Sequence, residues 1–188
     1  MNMSSKAKAA FIDRDGVINE ERHYAHRIED FVLLPGVIEG LTLLRDAGYR
    51  LVVITNQAGI ARGYYDQAAM DRLHDHLRGL LADHGVALDA IYFCPHHPQG
   101  SVAALAIDCS CRKPAPGMLI QAAHDLDLDL AASVLIGDKL SDIQAGRRAG
   151  VARTAIVESG HAIEPDARAQ ADIVAADMLG AARQLTAC

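Results

Sequence analysis

Two carboxylates stand one residue apart at Asp13 and Asp15, in the run Phe11-Ile12-Asp13-Arg14-Asp15-Gly16. In extended chain, residues i and i+2 project to the same side, and Gly16 permits a sharp turn just beyond them. One carboxylate of such a pair can attack phosphorus while its neighbour hands a proton to the leaving oxygen. Two negative charges that close need a cation or retain a proton, and magnesium suits carboxylates combined with phosphate oxygens. An ordinary acidic turn has the same spelling, so the pair alone does not decide.

Three other places carry suitable residues. In Thr55-Asn56-Gln57 a hydroxyl and turn amides can hold phosphate oxygens without adding charge; a helix N-cap would look the same. In Arg112-Lys113-Pro114 the lysine can neutralise a transferring phosphoryl group and the arginine fork can clamp a second phosphate. The other reading is a solvated basic pair. In Gly137-Asp138-Lys139-Leu140-Ser141-Asp142, Asp138 can complete a magnesium site with Asp13. Asp142 can orient Lys139 or support the metal through water, unless these acids merely cap a helix.

These residues need elements to bring them together. Short apolar runs predict strands over 9–12, 51–54, 90–93, 133–137 and 152–157, with a last one at 173–174. Between them, apolar residues at helical spacing predict helices over 37–47, 67–84, 118–126, 141–149 and 178–185. Residues 160–171 read as loop with a little helix. Such alternation predicts an α/β fold, a three-layer α/β/α doubly wound parallel sheet with right-handed crossovers. Asp13, Thr55 and Asp138 each close a strand-like run, and ligands bind at the carboxyl ends of such strands.

The ordered set resembles the haloacid dehalogenase superfamily of phosphotransferases. The matching motifs are Asp13-Arg14-Asp15-Gly16-Val17, Thr55-Asn56, Lys113-Pro114, and Gly137-Asp138 with Asp142, spanning about residues 9–157. Val17 stands where the family commonly has threonine. The resemblance implies that Asp13 is the nucleophile, Asp15 the general acid/base, and Thr55 and Lys113 the groups that steady the phosphoryl. It also implies Mg2+ held by the Asp13 side chain, the Asp15 backbone carbonyl and Asp138. No large insertion separates the motifs, so no cap domain is expected.

Cys94-x-His96 followed by Cys109-x-Cys111 is a second constellation, with His97 as a further candidate. Three thiolates and an imidazole suit a tetrahedral structural zinc site. The loop between has too little apolar content to order itself, and Zn2+ binding would supply that order. Cys94 could instead be a plain buried strand-end residue, and Cys109 and Cys111 idle thiols, since a disulfide across two residues would be strained. Cys188 is expected to be free.

Within the superfamily, the stretch Cys94-Pro95-His96-His97-Pro98-Gln99-Gly100-Ser101-Val102 and the long gap to Cys109 resemble the heptose-bisphosphate phosphatase group. Thr55-Asn56-Gln57-Ala58-Gly59-Ile60-Ala61-Arg62-Gly63 and Gly137-Asp138-Lys139 fit it too. That resemblance implies removal of the C7 phosphate of a D-glycero-D-manno-heptose 1,7-bisphosphate, through an aspartyl phosphate, in heptose synthesis for lipopolysaccharide or other surface glycans. Arg112 would then hold the C1 phosphate. Asn56, Gln57, Lys139 and the segment Glu21, Arg22, His23 and Tyr24 are the expected sugar-side contacts; for that segment a plain surface turn is the competing reading. Histidinol-phosphate phosphatases share the zinc loop in a shorter form and give the alternative enzyme. A receiver-like phospho-acceptor domain is the alternative outside enzymes, but receivers lack a carboxylate at the position of Asp15.

The bulk numbers agree. A chain of 188 residues, 51% hydrophobic and 22% charged, suits one domain, residues 1–188, with the zinc loop 94–111 inside it. The net charge of -6 offers no footprint for nucleic acid. No apolar run reaches the roughly 18 residues of a membrane span, and residues 1–10 lack the core of a secretory signal. The expectation is a cytoplasmic, monomeric enzyme acting on a small sugar phosphate.

Overall fold

The structure is a computed structural model that describes residues 6–187; Cys188 lies outside the described residues. Six parallel strands form one sheet: β1 (Ala9–Ile12), β2 (Arg50–Asn56), β3 (Ala90–Cys94), β4 (Val134–Gly137), β5 (Arg153–Val157) and β6 (Ile173–Ala175). Their spatial order is β3-β2-β1-β4-β5-β6. The helices are α1 (Val37–Asp46), α2 (Ala58–Ala61), α3 (Gln67–Ala82), α4 (Gly117–Asp125), α5 (Leu140–Ala149), α6 (Pro165–Gln170) and α7 (Met178–Thr186).

Strands buried on both faces read as continuous apolar runs, which is why β1 and β4 are fully buried over their whole length. Alternation still sorts the side chains. Ala10 and Ile12 pack with Leu41 and Leu44 of α1, Leu73 and Leu77 of α3, and Ala181 and Leu185 of α7. Ala9 and Phe11 face the opposite layer, with Met118, Leu119 and Ala122 of α4 and Ala145 of α5. The three layers follow from period 2 in the strands and period 3.6 in the helices.

Chain progression runs outward from β1 through β2 to β3, then returns to β4 on the other side of β1. The carboxyl ends of β1 and β4 therefore sit at the point where the winding reverses, where such sheets open a crevice. Register fixes them together: Ile12 lies beside Ile136, and the Asp13 amide donates to the Ile136 carbonyl at 2.9 Å. Two details differ from the sequence reading. β2 continues through Asn56, and α2 forms directly after Gln57. The run Ala58-Gly59-Ile60-Ala61 is too short to show a helical period. Among the described residues, the link from β1 to α1 carries isolated bridges from Asn19 to Asp15 and to Leu33 and a short 3-10 turn at Ile28–Asp30, and no separate cap.

Candidate active site

Asp13 leaves β1 into the reversal point and is almost wholly buried. Its Oδ1 accepts from the Arg14 amide at 2.8 Å and meets Lys113 Nζ at 2.9 Å. Lys113 comes from the far side of β2, and its ammonium is also buried. It donates to the Ile54 carbonyl at 2.9 Å and pairs with Asp142 Oδ1 at 2.6 Å. Three N–H groups thus have three partners. Burial works to lower the Lys113 pKa, but Asp13 and Asp142 overcome it and raise the lysine above its usual range. Lys113 stays charged at any physiological pH.

Asp142 serves two groups. One oxygen holds Lys113; the other accepts from the Lys139 backbone amide at 3.0 Å, closing the first turn of α5. The expectation that it orients the Lys139 side chain is corrected here: that ammonium reaches Glu21 at 3.5 Å, and the lysine Asp142 orients is Lys113. A terminal backbone amide needs a partner whatever the site does, and nothing in the residue order marks the second oxygen for another use.

Asp13, Asp138 and Asp142 bring carboxylate oxygens within 4.8 Å of one another. Burial, then Asp142 and Asp138, push the Asp13 carboxyl up to about 7 despite Lys113. Asp138 is likewise raised, by burial and then by Asp142. Its Oδ1 is buried without a hydrogen-bond partner. A Cβ at Gly16 or Gly160 would collide with its carboxylate, so the backbone is pared back around it. Three buried acids against one lysine leave an excess of negative charge, and an orphaned oxygen faces it. That donor set fits a hard divalent cation.

Asp15 is saturated. Its oxygens accept from Arg14 Nη2 at 2.9 Å each, from Asn19 Nδ2 at 2.9 Å and from Gln57 Nε2 at 2.9 Å. Burial works to raise its carboxyl, but the Arg14 guanidinium and the two amides hold it below the usual carboxylate range. Gln57 also donates to Thr55 Oγ1 at 2.8 Å and accepts from the Tyr65 hydroxyl at 2.7 Å. Asn56 clasps the backbone of Lys113 in both directions, at 3.0 Å each. Gln57 and Asn56, expected to touch substrate, have their carboxamides engaged in organising Asp15, Thr55 and the Lys113 loop.

A cavity of about 530 Å³ opens over these groups. Asp13, Asp15, Asn56, Gln57, Lys113, Lys139 and Asp142 line its floor, and Glu21, His23, Tyr24 and Arg112 its walls. Arg22 departs from expectation: among the described residues it does not line the cavity but pairs with Glu20 at 2.7 Å on the exposed side. The segment does not alternate as a strand would: His23 and Tyr24 take positive φ (34° and 68°), and both face the cavity. Sequence reasoning missed two walls. His161 places Nδ1 at 2.6 Å from Asp138 Oδ2, and nothing near it in the sequence marks it. Arg62 lies beside His97, Nη2 to Nε2 at 3.4 Å, with Arg112 in the same wall.

Cys94, His96, Cys109 and Cys111 converge next to that wall. Sulfur–sulfur separations are 3.1 to 3.5 Å, and His96 Nδ1 lies 3.4 Å from Cys111 Sγ and 3.8 Å from Cys94 Sγ. Four soft donors this close could hold a tetrahedral metal ion, since thiolates about 2.3 Å from zinc stand roughly 3.8 Å apart. His97 is outside the set; its Nδ1 accepts from the Gln99 amide at 3.1 Å.

Comparison with known proteins agrees with this geometry. Residues 110–182 match the HAD-hydrolase-like family model. The D-glycero-alpha-D-manno-heptose-1,7-bisphosphate 7-phosphatase of Photorhabdus laumondii is 51% identical over 84% of this chain and 86% of its own. The D-glycero-beta-D-manno-heptose-1,7-bisphosphate 7-phosphatase of Escherichia coli K12 is 46% identical over 92% and 90%. The crystal structure of D,D-heptose 1,7-bisphosphate phosphatase from B. bronchiseptica, complexed with magnesium and phosphate, superposes with a TM-score of 0.79. It is 35% identical and covers 95% of this chain and 97% of its own. The chain belongs to the D-glycero-D-manno-heptose-1,7-bisphosphate 7-phosphatase family of HAD-like hydrolases.

Proposed function

We propose that the protein removes the C7 phosphate from a D-glycero-D-manno-heptose 1,7-bisphosphate. The observation that carries this reading is the cavity itself. It joins an acidic nucleophile held by a charged lysine to a second set of cations, Arg112 and Arg62, with His97 beside them. One phosphate would sit at each, with the sugar between them.

In this reading Asp13 attacks the phosphorus of the C7 phosphate, and the bond from phosphorus to the C7 oxygen breaks. Asp15 passes a proton to that oxygen, then takes one from the water that attacks the aspartyl phosphate, releasing inorganic phosphate. The resting Asp15 is ionised, and the negative charge of an arriving phosphate favours its protonation. Lys113 offers no spare N–H in the resting site, so its first contribution is charge and the fixed aim of Asp13. Asp13, Asp138 and the Asp15 carbonyl would hold Mg2+, which neutralises phosphoryl oxygens when bound. Cys94, His96, Cys109 and Cys111 would hold Zn2+ and so fix the loop that delivers Arg112 and Lys113. Glu21, His23, Tyr24 and Lys139 form the sugar side. No described helix is long and apolar enough to cross a membrane, in keeping with a cytoplasmic enzyme on a small metabolite.

The test is phosphate release from both anomers of the heptose 1,7-bisphosphate, and from histidinol phosphate, at matched concentration. The bisphosphate should be turned over far faster. Faster release from histidinol phosphate would overturn the assignment, and no release with a stable phosphoprotein would indicate a receiver.

A further inference from the structure

Arg14 has no exposed surface and does not line the cavity, yet every nitrogen of its guanidinium is placed. Nη2 donates to both oxygens of Asp15 and to the Ala25 carbonyl at 3.1 Å; Nε reaches Asp15 Oδ1 at 3.3 Å. Nη1 donates to Met70 Sδ at 2.9 Å and to His74 Nε2 at 3.1 Å. Met70 and His74 stand one turn apart on α3 and are both buried. Their neighbours on that inward face, Leu73, Leu77 and Leu81, are purely apolar. A polar ring there needs a partner, and its partner is Arg14.

To accept from Arg14, His74 must leave Nε2 bare and carry its proton on Nδ1. Burial first, then the charge of Arg14, push the imidazole down to about 3, so it remains a neutral acceptor throughout the physiological range. Asp15 and Arg78 are the other charged groups that face it, and Phe93 flanks the ring at 5.6 Å. A guanidinium is a rigid planar fork. Holding Nη1 therefore fixes where Nη2 and Nε point, and with them the Asp15 carboxylate.

We propose that His74 is a positioning residue for proton transfer: acting through Arg14, it fixes the rotamer of Asp15 without touching substrate. The inference rests on the reading of Asp15 as the acid/base.

The experiment compares His74→Leu, which removes the acceptor, with His74→Gln, which restores one. Each is assayed on the heptose bisphosphate, whose alkoxide leaving group needs a proton, and on p-nitrophenyl phosphate, whose leaving group does not. His74→Leu should lose about 10- to 100-fold in kcat/KM on the bisphosphate, as misplacement of a reacting group by an ångström or so does. The loss should fall on kcat rather than KM, and be much smaller on p-nitrophenyl phosphate. His74→Gln should recover most of it. Equal losses on both substrates, no recovery with glutamine, or a wild-type leucine variant would each overturn the proposal. If the leucine variant does not fold, His74→Asn, whose amide falls short of Arg14, takes its place under the same criteria. Asp15→Asn run in parallel separates the two failures. An inactive Asp15→Asn beside a wild-type His74→Leu sinks only this inference, whereas a fully active Asp15→Asn sinks the acid/base reading and this inference with it.

Discussion

Asp13, Asp138 and Asp142 come from the ends of β1 and β4 and the first turn of α5, and all three are buried. Cys94 alone of the thiol cluster comes from a strand; His96, Cys109 and Cys111 come from a loop largely exposed between Ser101 and Ala104. The acidic cluster is assembled by the sheet against its own repulsion, since Asp142 and Asp138 raise the proton affinity of Asp13, and Asp142 that of Asp138. The thiol cluster has a thinner scaffold: Cys94 is buried at the end of β3, and Cys109 and Cys111 pack against the edge of the core beside it. Its loop is tied elsewhere by contacts such as the Val102 amide to the Ala61 carbonyl at 2.9 Å. In one region the fold holds the acids in place; in the other a bound metal is expected to add order to the loop. A cation should matter to the first for chemistry and to the second for order.

Asp13→Asn tests the first half and carries the largest expected effect. Turnover should fall by about 10³-fold or more, since a covalent path loses its nucleophile. Stability should change by no more than about 1 kcal/mol: one of three crowded charges is gone, and Lys113 keeps Asp142. Thermal melting beside phosphate release would check both, and retained turnover or a collapsed melting temperature would break the contrast. Cys109→Ser tests the second half. Bound zinc should drop, and amide exchange should quicken across residues 95–111 while the sheet stays protected; activity should fall only through misplacement of Arg112 and Lys113. A variant with full zinc would refute the ligand assignment. Arg112→Ala is expected to do less. Losing a charge-assisted hydrogen bond costs about 1.5–3 kcal/mol, or roughly 10- to 100-fold in affinity for the bisphosphate. A heptose 7-monophosphate should scarcely notice, and equal weakening of both would remove the distal phosphate from the reading.

The same contrast explains what the sequence disclosed. Strand runs such as Val134–Gly137 announce themselves because burial on both faces demands unbroken apolar chain. Asp13 and Asp138 were legible because topology puts strand ends on one rim, and the thiol spacing was legible because few other uses require it. Pairings across the rim were not. That Asp142 holds Lys113 rather than the Lys139 side chain depends on how α5 is set against α4 and the loop that precedes it. The Tyr65-Gln57-Asp15 chain depends on α2 and on Gly59, where a Cβ would strike the Tyr65 ring. His161 is brought to Asp138 by the loop after β5. None of these is local, and composition carries no trace of them.

The most gradual effect, nearly absent at neutral pH, concerns His74, buried neutral within the region the fold prebuilds. Its pKa is about 3 in the folded protein against 6.5 as an ordinary histidine. Between these values the unfolded chain binds a proton there that the native state refuses. Stability from this group is therefore complete above pH 6.5 and is lost as pH falls towards 3, by at most about 1.4 kcal/mol per pH unit. His74→Gln cannot take up that proton. Urea midpoints of the two proteins measured from pH 7 down to 4 should converge, the wild type falling more steeply while contributions from the shared carboxylates cancel in the difference. Parallel curves would mean that His74 takes up its proton as readily in the native state as in the unfolded chain, and a ring so easily charged is not the buried acceptor that holds Arg14.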